Sequence, residues 1–268
     1  RNKLKTRIIT GAVALALFLP IVLLGGPVFT VLIYAIAAIG LYEILKMKGI
    51  SLISFPGIIS ILLLFLLLFP SVYTEKIVNL TGHTKLEWIF VAVFILLIFT
   101  VLTKNKFTFE NASFVLLSTL YVGIGFYYFI ETRAIEGGLA YVIFALLIVW
   151  TTDSGAYFTG RKLGKRKLWP EISPNKTVEG FVGGIVWAIV TALIIQWISP
   201  LTSSYIILIG ITIVASIFGQ LGDLVESGIK RHFNVKDSGN LLPGHGGILD
   251  RFDSLLFVLP LLHFLHFI

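Results

Sequence analysis

The sequence predicts an all-α, polytopic integral membrane protein of about nine transmembrane helices, with its amino terminus in the cytoplasm. Apolar residues make up 57% of the 268-residue chain and charged residues only 13%, about half the share usual in a soluble domain. Apolar runs of roughly twenty residues, long enough to cross a bilayer as helices, recur from end to end. When those runs are strung across a membrane, eighteen of the 21 lysines and arginines fall on one side.

The runs lie at about 8–24, 28–45, 52–70, 86–103, 112–130, 139–157, 180–198, 204–224 and 252–268. Arg1, Lys3, Lys5 and Arg7 ahead of the first run resemble the start of a signal peptide, but no cleavage site is evident and the run continues to Leu24. It is read as a retained span. Gly25, Gly26 and Pro27 form a tight turn into the second run. The ninth run is short for a full crossing at about 1.5 Å per residue, which suits a partly interfacial segment. The cytoplasmic bases are the four leading ones, Lys46, Lys48, Lys104, Lys106, six between Arg161 and Lys176, and Lys230, Arg231, Lys236 and Arg251. Lys76, Lys85 and Arg133 fall outside.

Charge also divides the chain. Asp153, Asp223, Asp237, Asp250 and Asp253, all the aspartates present, follow residue 150, as do the two longest cytoplasmic loops, about 158–179 and 225–251. Residues 1–137 therefore read as a scaffold of about five helices and residues 138–268 as a working part of about four. With no cysteine, disulfides and thiolate chemistry are excluded, and a bound metal must use carboxylate, carbonyl or imidazole ligands. The net charge of +7 is placed beside the membrane, which favours lipid over nucleic acid as its partner.

Asp153 stands about where an inward-running helix ends, facing the negative end of the helix dipole. It is either an interfacial acid paired with Arg161 or Lys162, or a ligand or substrate contact. The bases Arg161, Lys162, Lys165, Arg166 and Lys167 suit anionic headgroups. Asn175, Lys176 and Thr177, just before a helix start, offer amide, ammonium and hydroxyl to phosphate oxygens. If the eighth run stays helical past Asp223, then Asp223, Glu226 and Lys230 share one face. Asp250 and Asp253 share a face at the start of the ninth, where capping is the plainer explanation of both. Carboxylates from two spans, with bases close by, are the usual way to hold Mg²⁺ on a phosphate substrate. His245 among glycines is either a site residue or a solvated loop histidine; His263 and His266 are assigned no chemistry.

The run Ser227-Gly228-Ile229-Lys230-Arg231, then Lys236-Asp237, then Pro243-Gly244-His245-Gly246-Gly247-Ile248-Leu249-Asp250-Arg251-Phe252-Asp253 resembles the signature of the phosphatidate cytidylyltransferase (CDP-diacylglycerol synthase) family. The match covers 27 positions with the spacing intact. The segments around Asp153 and from Ser173 to Gly180 resemble two further motifs of that family, so the likeness reaches from about residue 138 to 254. It implies the reaction CTP + phosphatidate → CDP-diacylglycerol + pyrophosphate in phospholipid biosynthesis. It further implies dependence on Mg²⁺, K⁺ as a second cation, a homodimer, and an active site on the cytoplasmic face of the cell (inner) membrane. On this reading Asp223, Lys230, Arg231, Asp250, Arg251 and Asp253 are catalytic, and Asp223, Asp250 and Asp253 hold the metal. Asp153, Asn175, Lys176, Thr177, Lys236, Asp237, His245, Gly246 and Gly247 contact substrate. The nearest alternative is a CTP-dependent lipid-alcohol kinase, which takes the γ-phosphate and releases CDP. A transporter fits less well, because it needs acids deep within spans and these gather near one interface.

Overall fold

Each apolar run is occupied by helix in a computed structural model, which describes residues 2–241, 243–244 and 246–268, with side chains from Ile9 onward. The helices are α1 (Asn2–Leu24), α2 (Gly26–Met47), α3 (Phe55–Leu67), α4 (Thr74–Thr81), α5 (Lys85–Leu102), α6 (Phe109–Ala134), α7 (Gly138–Leu163), α8 (Val178–Ile198), α9 (Tyr205–His232), α10 (Leu249–Phe252) and α11 (Leu255–Phe264). A hairpin of β1 (Lys167–Trp169) and β2 (Ser173–Thr177) stands between α7 and α8. Among the described residues α2, α5, α6, α7, α8 and α9 are long and apolar enough to cross a membrane. A seventh crossing is added if α3 and the segment Ser71–Thr81, bent by 93°, count as one span, while Ile9–Leu24 and α11 are shorter apolar helices.

Helix ends follow local chemistry. Gly25, at φ 67°, breaks the chain after α1, and Pro27 starts the first turn of α2. Ser54 caps α3 by accepting the Gly57 N–H, and Thr84 with Glu87 forms a capping box at α5.

The described chain forms two compact units. One runs to Glu131 and includes Ser238–Leu249; the other comprises Thr132–Asp237 and Asp250–Ile268. In the first, Phe29 meets Phe129 edge to face at 5.3 Å, and the Tyr34 hydroxyl donates to the Phe65 carbonyl at 3.2 Å. The Lys85 ammonium donates to the carbonyls of Leu67 (3.1 Å) and Phe69 (2.5 Å), satisfying acceptors left open where α3 ends.

In the second unit α7 and α8 lie close because small residues face each other. A Cβ on Gly155 would stand 2.6 Å from Cδ1 of Trp187, and one on Gly184 would stand 2.8 Å from the Thr152 carbonyl oxygen. The buried Thr152 and Ser216 hydroxyls, 2.9 Å apart, join α7 to α9, and Gln220 donates to the Phe181 carbonyl of α8 at 3.2 Å. Two helices outrun the apolar stretches read from sequence: α7 extends to Leu163 and α9 to His232. The last stretch instead breaks, leaving Asp253 in a turn between α10 and α11.

Candidate active site

The extension of α9 puts Gln220, Asp223 and Lys230 on one face. The extension of α7 does the same for Asp153, Ala156, Tyr157, Gly160 and Arg161. These faces, the start of α8, β2 with Leu168, and Asp237, Asp250, Arg251 and Asp253 line a cavity of about 670 Å³ in the second unit. All five aspartates of the chain border it, together with Arg161, Lys176, Lys230 and Arg251.

Each element places its side chain for a local reason. Thr177 caps α8, its hydroxyl accepting the Gly180 N–H at 3.1 Å, so the preceding Lys176 emerges from β2 beside the helix start. Its ammonium donates to Asp223 Oδ2 at 2.6 Å, while Ser227 donates to Asp223 Oδ1 at 3.3 Å. Glu179 accepts the backbone N–H groups of Lys165 (3.0 Å) and Arg166 (3.2 Å), holding the hairpin base against α8. Lys230 donates to Asp250 Oδ1 at 2.6 Å and is also ion-paired with Glu226, which is 0% exposed.

Burial lifts the Asp253 carboxyl well above the usual carboxylate range, and Asp223, Glu226 and Asp153 push it the same way. Carboxylates thus crowd one another around Asp253. Among the described residues no three acidic or imidazole side chains converge closely enough to cage an ion by themselves. An octahedral Mg²⁺ does not need that: it takes one or two carboxylates and fills its other positions with water and phosphate oxygens. Crowded, half-buried carboxylates on a cavity this size fit such a cation bound together with a phosphate substrate.

Of the residues singled out by sequence, Asp153, Asn175, Lys176, Thr177, Asp223, Lys230, Asp237, Asp250, Arg251 and Asp253 border the cavity. Arg231 does not: its Nε donates to the Ile172 carbonyl at 3.2 Å, tying the hairpin turn to α9. Lys236 is also absent from the lining. Gly246 and Gly247 belong to the first unit, and His245 lies outside the described residues. Sequence reading overlooked Tyr157, Gln220 and the clamp role of Glu179; the i, i+3, i+4 spacing from Asp153 was the available signal for Tyr157.

The chain matches the cytidylyltransferase family over residues 5–268. This chain belongs to that family. Among cytidylyltransferases it is 55% identical to the phosphatidate cytidylyltransferase of Bacillus subtilis (strain 168) over 263 residues, covering 98% of this chain and 97% of that protein. Phosphatidate cytidylyltransferases of Staphylococcus haemolyticus (51% identity over 262 residues) and Staphylococcus epidermidis (52% over 264) are covered to 98%, as is this chain in each case. Every cavity aspartate of this cytidylyltransferase falls within the matched span.

Proposed function

We propose that the chain transfers the cytidylyl group of CTP to phosphatidate, giving CDP-diacylglycerol and pyrophosphate. It does so as a homodimeric, multi-pass protein of about nine crossings, with its amino terminus and active site on the cytoplasmic side of the cell membrane. The observation that carries this reading is the gathering of every aspartate and four bases around one cavity in a member of the cytidylyltransferase family.

Phosphatidate already bears a nucleophilic phosphate oxygen, so no side chain need attack. The chain's task is to bring two polyanions together in line and to stabilise the charge that develops. Lys176, Lys230 and Arg251 hold phosphate oxygens, and Asn175 and Thr177 orient them from the start of α8. Asp223 and Asp250 would hold Mg²⁺, with Asp253 and Asp153 beside them, and its charge would stabilise the α-phosphate and the leaving pyrophosphate. The family resemblance adds K⁺ as a second cation. The basic run from Arg161 to Lys167 faces anionic headgroups, and phosphatidate enters from the inner leaflet with its acyl chains still in lipid.

Pyrophosphate release by the purified protein in detergent, with CTP, phosphatidate and Mg²⁺ and with EDTA as control, tests the reading. Release that requires both substrates and the metal is expected. Release of CDP instead would identify a kinase.

A further inference from the structure

Glu43 sits on α2, far in sequence from the signature residues, and is 2% exposed. An ionisable side chain buried in a membrane helix is tolerated only where its polar atoms find partners. Among the described residues, the hydrogen-bond partners of Glu43 come from one segment of its own unit. Oε2 accepts the Ser238 hydroxyl at 2.9 Å and the Leu249 N–H at 2.9 Å, and Oε1 accepts the Ile248 N–H at 2.9 Å. Gly239 and Gly247 back directly onto the same carboxylate, where any Cβ would collide with it. A single carboxylate therefore ties both ends of Ser238–Leu249 together. Among the described residues no cation pairs with it, so the charge is met by N–H and O–H donors alone.

Fixing two consecutive backbone N–H groups defines the path of the chain at that point. The tied segment also contains Gly246 and Gly247, which the family resemblance places on the substrate. We propose that Glu43 is a positioning residue for nucleotide turnover: by gripping Ser238 at one end and Ile248 and Leu249 at the other, it fixes both ends of the glycine segment. This inference rests on the cytidylyl-transfer reading. A glutamine cannot replace the acid, because its NH₂ group would face donors where the carboxylate presents acceptors. Aspartate keeps the charge but is one methylene short.

The test compares wild type, Glu43→Gln and Glu43→Asp as full-length purified protein. Pyrophosphate release is measured at varied CTP and at varied phosphatidate, alongside the thermal midpoint and substrate-free hydrogen exchange of peptides covering 238–249. For Glu43→Gln, kcat/KM for CTP is expected to fall about tenfold or more, as when a hydrogen bond to a charged acceptor is lost. KM for phosphatidate should be unchanged, exchange at 238–249 faster, and Glu43→Asp intermediate. Wild-type kinetics for CTP in Glu43→Gln would overturn the proposal. So would an equal loss toward both substrates that tracks a lowered thermal midpoint, because that is the mark of a merely structural residue. Failure of the underlying reading looks different: the wild type releases no pyrophosphate. The exchange measurement needs no substrate, and unchanged exchange at 238–249 overturns the clamp in either case.

Discussion

Lys176 and Lys230 each meet an aspartate at 2.6 Å, yet removing them should have unequal consequences. Lys176 is 28% exposed and its partner Asp223 32%, whereas Lys230 is 12% exposed between Glu226 at 1% and Asp250 at 6%. Lys176→Ala breaks a partly solvated pair, worth about 1 kcal/mol of stability or less. Lys230→Ala takes the cation from two buried carboxyl groups, Glu226 and Asp250, a loss of about 3–5 kcal/mol. In the proposed mechanism both lysines hold substrate phosphates, so each substitution should lower kcat/KM about a hundredfold, near 2.7 kcal/mol of transition-state stabilisation. The assay pairs pyrophosphate release with the thermal midpoint of the protein in detergent. The double variant Glu226→Gln with Lys230→Met should recover part of the lost midpoint and none of the activity, since it removes one of the two carboxylates that lose their cation but not the need for a cation. Lys230→Ala melting with Lys176→Ala would refute the burial argument. Full activity in Lys176→Ala would remove it from the site.

Three further outcomes are expected. Asp253 has a folded-state pKa above its unfolded value, so ionising it as pH rises costs the folded protein; in EDTA, Asp253→Asn should raise the thermal midpoint at pH 8 and lose that advantage well below the usual carboxylate range, and with Mg²⁺ supplied it should abolish the turnover that the wild type shows. Gly155→Leu would drive a side chain into Trp187 and should cost about 1–3 kcal/mol, read as a lowered midpoint and less folded protein recovered. Changing Lys162, Lys165, Arg166 and Lys167 together to Gln should raise KM for phosphatidate in anionic bilayers but not KM for CTP, with the difference fading as salt is added.

The aspartates and their bases could be read from sequence because charge is conspicuous in an apolar chain and helical spacing places it on faces. Asp223, Glu226 and Lys230 do share the face their spacing implies, because α9 continues past Asp223 to His232. Adjacent bases are another matter. Each helical residue turns by about 100°, so Lys230 reaches Asp250 while Arg231 is carried round to the Ile172 carbonyl. The hairpin gave no periodic signal, since β1 has three residues and Pro170 follows it directly. Glu43 and Glu179 were illegible for a further reason: their partners are backbone N–H groups distant in sequence or in a loop, and every residue but proline carries one. Run length, finally, finds helices but does not distinguish a crossing from a bent or short segment, as the 93° break after α3 illustrates.

The lysine–aspartate pairs have a consequence for the order in which ligands act. Lys176 pairs with Asp223 and Lys230 with Asp250, so each lysine and each aspartate already has an opposite charge beside it. In the proposed mechanism phosphate oxygens would compete with the aspartates for the lysines, and a divalent cation would compete with the lysines for the aspartates. Either ligand alone must break a pair and leave one charge uncompensated, whereas together they satisfy all four groups. Nucleotide and Mg²⁺ should therefore bind with positive coupling, of about 1–3 kcal/mol if it is of ordinary size, and linkage requires each to tighten the other equally. Titrating Mg²⁺ into the protein with and without a non-reactive CTP analogue, correcting for the cation that the analogue binds in solution, measures that coupling directly. Lys176→Ala should weaken it, because its Asp223 is already released. Equal Mg²⁺ affinity in the two titrations would mean that the pairs stay intact during binding, and that the lysines serve the aspartates rather than the phosphates.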